Sequence, residues 1–396
     1  MPSSDPNPAR PKRLLVVLPS WVGDTVMATP TLRVLREFLP GSLIGGLMRP
    51  GLDQLLAGSP FLDEIHVDRA VGMMGPKKVA AKIRHLRYDA ALLLTNSFST
   101  ALVTRLSGIP RRIGYDRDGR GILLTERLTP PRRKDTPPYN RSATAPNDWA
   151  PIPAVDYYFA LAQHLLRSIG IEGGGGRPGP LELVVTREEE LAADDILTSA
   201  GLTSSDLRRS PLIMLNPGGN DEAKRWPPDR FAALAEYLRD KHNAIVLISG
   251  SPSETALADS IVAMTTKHAA ARPSSGAAGG SSTSAPRSRI ISLPPLGLTL
   301  ASLKGLLQRC RLLVTNDTGP RHIAAALGVP VVSLFGPTDH RWTTIPFEDE
   351  VILTADRELP EEEVANDHPD RCRIENIGLG DTVAAANSLL ASAATR

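Results

Sequence analysis

The chain has 396 residues, length for two or three domains, and its 41% hydrophobic and 22% charged content is that of a globular protein. A formal net charge of +2 is too small to argue for a nucleic-acid-binding surface, and two cysteines, Cys310 and Cys372, lack the spacing of a zinc site or disulfide framework. No apolar run approaches the ~20 residues of a membrane span, and the first one is cut by Pro19, too early for a signal peptide, so a cytoplasmic protein is expected.

In chain order, RLLVVLP (13–19), SLIGGLM (42–48), EIHVD (64–68) and DAALLLT (89–95) are short Val/Leu/Ile-rich runs closed by Gly, Pro or Asn. Continuous rather than alternating hydrophobicity suits parallel strands buried on both faces. TPTLRVLREFL supplies helical spacing between the first two. The proline-rich PPRRKDTPPYNRSATAPNDWAP (130–151) reads as a mobile loop, AVDYYFALAQHLLRSIG (154–170) as an amphipathic helix, and EGGGGRPGP (172–180) as a linker. LIMLNP (212–217), AIVLISG (244–250), RIISLP (289–294), RLLVT (311–315) and VPVVSLFG (329–336) repeat the strand pattern, with PDRFAALAEYLRDK as a helix among them. HAAARPSSGAAGGSSTSAPRSR (268–289) is low in complexity and is expected to be a disordered insertion. Two doubly wound α/β domains follow, 1–171 and 180–375, with a C-terminal helix at 376–396.

Ligands of open parallel sheets bind outside the carboxyl ends of strands, near helix N-termini. Three such ends carry unusual residues. After the first strand, LPSWVGDTVMATP places Asp24 where it either caps its helix or faces a cleft as a general base. LNPGGNDEAKRWP sets Lys224 and Arg225 beside a glycine-rich turn, the chemistry of a diphosphate site or else a solvated pair. In TNDTGPRHIAAALG, Asp317 or Thr318 can cap a helix, Gly319 admits close approach, and the helix entrance attracts an anion. LISGSPSETALA adds Glu254, either a first-turn helix residue or a ribose-holding carboxylate. Asp116-Arg117-Asp118 has the form of a metal-binding D-x-D but follows RRIGY in an apparent loop, which points to a surface or acceptor-loop role.

PSWVGDTVMATPTLRVL, LLLTNSFSTALVTRLSGIPRRIGYDRDGRGILLTERL, NPGGNDEAKRWP and TNDTGPRHIAAALGVPVVSLFGPTD occur in this order over nearly the whole chain. Together they resemble the bacterial ADP-heptose:lipopolysaccharide heptosyltransferases of glycosyltransferase family 9, the PSWVGD start being most similar to the heptosyltransferase II branch. The resemblance implies a GT-B fold, two Rossmann-like domains facing across a cleft, and an inverting, metal-independent transfer of heptose from ADP-heptose to the lipopolysaccharide inner core at the inner membrane. It implies no cofactor beyond the donor substrate and no nucleic-acid partner. Asp24 matches the catalytic base, and Lys224, Glu254, Asp317, Thr318, Gly319 and His322 match donor-binding positions. Ser20, Gly23, Asn96, Ser97 and Arg112 fall in first-domain, acceptor-side motifs. The segments 130–151, 172–179 and 268–289 are not part of the family pattern. A sugar-nucleotide epimerase of the same architecture, or a family 9 transferase with another acceptor, are the alternatives. An NAD(P)-dependent oxidoreductase is disfavoured, because no G-x-G-x-x-G follows a strand and opens a helix.

Overall fold

The computed structural model describes residues 10–69, 72, 74–130, 132, 149–172, 174, 176–271 and 289–394. It divides into two units, Met1–Val184 with Arg341–Pro346, and Val185–His340 with Phe347–Arg396.

The first unit runs β1 (Arg13–Val17), α1 (Val22–Met27), α2 (Thr29–Phe38), β2 (Leu43–Met48), β3 (Glu64–Val67), α3 (Gly75–Arg84), β4 (Ala90–Leu93), α4 (Phe98–Leu106), β5 (Arg111–Tyr115), β6 (Glu126–Leu128) and α5 (Ala154–Ser168). Its strands form one sheet in the order β3-β2-β1-β4-β5-β6, and every pairing is parallel. Leu14, Leu15, Val16, Ala91, Leu92 and Leu93 are fully buried, as continuous apolar strands require when helices cover both faces. On α2, Leu32 and Leu35 lie three residues apart on one buried face against α5, and each such leucine stabilises the fold by about 1.5–3 kcal/mol.

The second unit runs α6 (Arg187–Ser199), α7 (Ser204–Arg209), β7 (Leu212–Asn216), α8 (Pro228–His242), β8 (Ile245–Ile248), α9 (Thr255–Ala271), β9 (Ile290–Ser292), α10 (Leu300–Leu307), β10 (Cys310–Asn316), α11 (Gly319–Ala326), β11 (Val331–Phe335), β12 (Glu350–Thr354) and α12 (Leu379–Ala394). Its sheet, β12-β11-β10-β7-β8-β9, is also wholly parallel. Trp226, Phe231, Leu234 and Leu238 pack with β7, β8 and β10 in one core, and the Trp226 and Phe231 rings meet edge to face at 5.1 Å. Trp226 donates its indole N–H to the Ile377 carbonyl at 2.9 Å, which ties the start of α8 to the turn before α12.

In each sheet the winding reverses once. The chain goes from β1 outward through β2 and β3, then returns to lay β4 on the other side of β1; it does the same from β7 to β10. Such switch points leave a crevice outside the strand ends. The loops after β1 and β4, and those after β7 and β10, are the segments the sequence motifs occupy.

Three strands were not anticipated from hydrophobicity: β5, which begins Arg-Arg, the three-residue edge strand β6, and the edge strand β12. The structure also corrects the start of the expected 268–289 insertion, since α9 continues to Ala271. Residues 272–288, most of 130–151, and 173 and 175 of the linker lie outside the described residues.

Candidate functional site

In the first unit β1 ends at Val17, and Pro19-Ser20-Trp21 turns the chain into α1, whose first turn carries Asp24. A carboxylate is favoured there by the helix dipole. Trp21 is the N-cap, and no side chain caps α1, so the capping role open to Asp24 in the sequence is not the one it takes. Its Oδ1 instead accepts a hydrogen bond from the Tyr158 hydroxyl at 2.8 Å. Burial, followed by the Asp24 charge and this bond, pushes the Tyr158 phenol well above its ordinary value, so it stays a donor.

Asp24 and Tyr158 open on a cavity of about 240 Å³ that Asn96, Arg117, Tyr157 and Trp342 also line. Asn96 follows β4, the partner of β1 at the switch point. Its Oδ1 accepts from Arg120 Nη2 and from the Tyr157 hydroxyl, both at 3.1 Å. Arginine only donates, so this atom is the oxygen, and the Asn96 NH2 group is left to donate elsewhere. Arg120 is fully buried and also bonds the carbonyls of Thr95 and Tyr115; burial lowers its pKa to about 10, which leaves it cationic. Tyr157 stacks on Tyr115 at 3.8 Å, and the guanidinium groups of Arg117 and Arg132 lie 4.8 and 4.9 Å from the Trp149 ring. The Arg117 Nε is buried and has no hydrogen-bond acceptor among the described residues.

The other acceptor-side expectations fare differently. Ser20 and Gly23 are half-buried in the turn that carries Asp24, while Ser97 is exposed at the start of α4 without capping it. Arg112 requires a correction: it is buried at the amino end of β5, and its guanidinium is committed to the carbonyls of Leu123, Ile109 and Pro110. It braces the loops around β5. In the D-x-D stretch, Asp116 lies 3.5 Å from Arg127 and Asp118 lies 3.7 Å from Arg117. Among the described residues no three His, Cys, Asp or Glu side chains are grouped as metal ligands.

In the second unit two buried asparagines join the strand ends. Asn216, last in β7, donates to the hydroxyls of Thr315 (3.1 Å) and Thr318 (2.9 Å) and accepts from Ser249 at 2.9 Å. Asn316, last in β10, donates to the Pro217 and Gly218 carbonyls at 2.9 and 3.0 Å and accepts from the Trp226 N–H at 3.2 Å. The glycine turn after β7 and the helix entrance after β10 are therefore held as one piece.

Thr318 is the N-cap of α11, yet its hydroxyl is engaged with Asn216 and Thr315, and the cap expected from Asp317 or Thr318 is not formed. The Gly319 N–H donates to no described group, so the entrance of α11 is open to an anion. Asp317 lies 3.9 Å from Arg321, whose buried guanidinium also forms a two-point ion pair with Glu350 at 2.6 and 3.0 Å. His322 is buried, with Nδ1 3.3 Å from the Thr318 carbonyl and Nε2 3.3 Å from Arg321. Burial and the Arg321 charge bring its pKa down to about 3, so it is neutral and donates from Nδ1. Asp317 and His322 thus support the turn from within, and Thr318 and Gly319 form its accessible edge.

Glu254 reaches across from the loop after β8. Its Oε1 accepts from the Gly219 N–H at 2.8 Å and its Oε2 from the Ser251 N–H and hydroxyl at 2.7 and 2.8 Å. Burial raises its pKa, but these backbone donors, the Ser251 hydroxyl and the Arg225 charge outweigh it and hold the carboxylate below its ordinary value. Arg225 donates to the Gly219 carbonyl at 2.8 Å. Lys224, half-buried at the end of the turn Glu222–Lys224, has no ion pair among the described residues, and its ammonium is the available cation of this site.

Sequence reasoning missed Tyr157, Tyr158, Trp342, Ser249 and Asn316. The twin tyrosines carried a signal, two hydroxyls on the apolar face of a helix, where a phenol needs a partner; the others became visible only with the strand order.

The profile of glycosyltransferase family 9 (heptosyltransferase) matches residues 77–272 and 285–369. The chain belongs to glycosyltransferase family 9. This family 9 glycosyltransferase is similar to lipooligosaccharide heptosyltransferase 2 of Haemophilus ducreyi, at 29% identity over 86% of this chain and 88% of that one. It is similar to lipopolysaccharide heptosyltransferase 2 of Escherichia coli at 28% identity over 84% of each chain. Among solved structures, E. coli ADP-heptose lipopolysaccharide heptosyltransferase II matches with a TM-score of 0.71 at 25% identity, covering 96% of this chain and 99% of that one. A family 9 glycosyltransferase from Veillonella parvula matches with a TM-score of 0.72 at 22% identity, covering 96% and 97%. The fold is GT-B, and the epimerase alternative is not favoured by these relatives.

Proposed function

We propose that this family 9 glycosyltransferase moves heptose from ADP-heptose to the inner core of lipopolysaccharide, as the relatives named heptosyltransferase 2 do by their names, and that it acts on the cytoplasmic side of the inner membrane. In the reaction an acceptor hydroxyl gives its proton to Asp24 while its oxygen attacks the anomeric carbon. The bond from that carbon to the diphosphate breaks, ADP leaves with the electron pair, and the anomeric configuration inverts. The reading is carried above all by Asp24, a carboxylate spared from capping, oriented by a buried phenol and set on a cavity lined by hydrogen-bonding groups.

The second unit supplies the donor site. The open entrance of α11 offers the Gly319 N–H and a dipole worth about 0.3–1 kcal/mol to an anion, and Lys224 adds a charge-assisted bond of about 1.5–3 kcal/mol. Both act on the charge that develops on the departing ADP, and neither has to rearrange as it forms. Glu254 serves this site chiefly by holding the Gly219 turn. A second reading, a family 9 transferase with another acceptor, is favoured by one observation: Arg132 and Trp149, at the ends of a segment outside the family pattern, pair with each other next to the Asp24 cavity.

Calorimetric titration with ADP tests the donor half. Lys224→Ala is expected to weaken ADP binding by about 10–150-fold. Unchanged affinity excludes Lys224 from the site.

A further inference from the structure

The cavity that holds Asp24 has walls that the proposed proton transfer does not use. Beside the polar groups of Asp24, Asn96 and Arg117, four aromatic residues line it: Trp149, Tyr157, Tyr158 and Trp342. At about 240 Å³ it falls below the roughly 300–1,000 Å³ of pockets for drug-sized ligands, so it suits one ring with its substituents rather than a chain of them. A wholly apolar guest would strip water from the Asp24 carboxylate and from the Asn96 NH2 group, which donates to no described residue, and would give neither a new partner. A small anion or cation would leave the aromatic walls uncovered. A pyranose satisfies both, because its C–H faces pack on aromatic rings while the hydroxyls at its edge donate and accept hydrogen bonds.

The four aromatic residues are not equivalent. Tyr157 and Tyr158 stand on α5, and their hydroxyls are committed to Asn96 and Asp24. Trp149 lies outside the helices and strands of the first unit, and its own contacts hold it: an antiparallel bridge to Arg132, and the guanidinium groups of Arg117 and Arg132 at 4.8 and 4.9 Å from its ring. Cations against an indole fix the ring before a ligand arrives, so little side-chain freedom is left to lose on binding. Arg132 is not among the lining residues, so its effect on the cavity passes through Trp149. We infer that Trp149, clamped by Arg117 and Arg132, is the wall that selects the terminal pyranose of the acceptor, with Arg132 as a positioning residue. The inference rests on the acceptor half of the proposed function, and its test reads binding as well as transfer so that the two can fail separately.

The experiment is calorimetric titration of the full chain with a panel of lipopolysaccharide core oligosaccharides, beside steady-state transfer to the same compounds. Trp149→Ala is expected to weaken oligosaccharide binding by about tenfold or more, and Trp149→Phe to stay within about threefold of wild type. ADP affinity is expected to be unchanged in both. Arg132→Ala is expected to raise the acceptor KM by about two- to fivefold at unchanged kcat. In the Trp149→Ala background the same change is expected to add nothing, because both act through one ring, whereas a merely structural arginine gives additive losses. If oligosaccharide binding depends on Trp149 while no heptose is transferred, the transfer reading fails and the inference stands. Wild-type oligosaccharide affinity in Trp149→Ala, additive losses in the double variant, or a wild type that binds none of the panel overturns the inference.

Discussion

Asp24 and Tyr158 form the pair on which the proposed chemistry turns, and each can be tested alone. Asp24→Asn is expected to lower the transfer rate by about 10²–10⁴ while ADP affinity stays within a few-fold; equal losses in both mean that the residue holds the fold. Tyr158→Phe removes a donor to the charged form of Asp24, so the carboxylate is protonated more readily. The acidic limb of the rate profile is then expected to move to higher pH, and an unmoved limb shows that the phenol is only packed there. His322 gives a third single-residue expectation. It is neutral in the fold, with a pKa of about 3 against 6.5 for the free side chain, so the unfolded state takes up its proton first as pH falls. Its contribution is complete above pH 6.5 and is lost between there and 3, at about 1.4 kcal/mol per pH unit. The unfolding free energy of His322→Gln, followed by urea titration from pH 7 to about 5, is expected to fall less steeply than that of the wild type; parallel slopes contradict the buried neutral imidazole.

The glycine turn after β7 works as an element because three neighbours hold it: Asn316 takes its carbonyls, Glu254 its Gly219 N–H, and Arg225 its Gly219 carbonyl. A Cβ on Gly218 falls 2.3 Å from Glu254 Oε1, so Gly218→Ala is expected to displace that carboxylate and weaken ADP binding. Wild-type affinity in this variant shows that the turn does not form the donor site. Much of this scale was legible in the sequence. Glycines at a strand end, followed by Lys224 and Arg225, read as an anion site without coordinates. What the two cations do separately was not legible, because Arg225 is bound to the turn and Lys224 is not, and that depends on the fold of residues 219–225. Likewise Arg112 lay in a family motif, but its burial among three carbonyls follows from strand β5, whose Arg-Arg start conceals a strand from a hydrophobicity reading.

At the scale of the molecule, two wholly parallel sheets were written in the continuous apolar runs, and the order of those runs allowed either domain to be recognised. The reversal of winding was not written there, yet it brings Asp24 beside Asn96 and Gly219 near Thr318, since spatial neighbours β1 and β4, or β7 and β10, are far apart in sequence. Helix α5 is the other unforeseen contributor: read as an amphipathic helix, it turned out to orient the proposed base through Tyr158. The proposed reaction is transfer of a heptosyl group by a base-assisted displacement of ADP. Its most direct test is mass spectrometry of wild type and Asp24→Asn incubated with ADP-heptose, with and without a lipopolysaccharide core acceptor. Wild type is expected to release ADP and add one heptose to the acceptor only when both substrates are present, with Asp24→Asn nearly inactive. An epimerised nucleotide sugar formed without acceptor, or an acceptor left unmodified across a panel of core oligosaccharides, contradicts it.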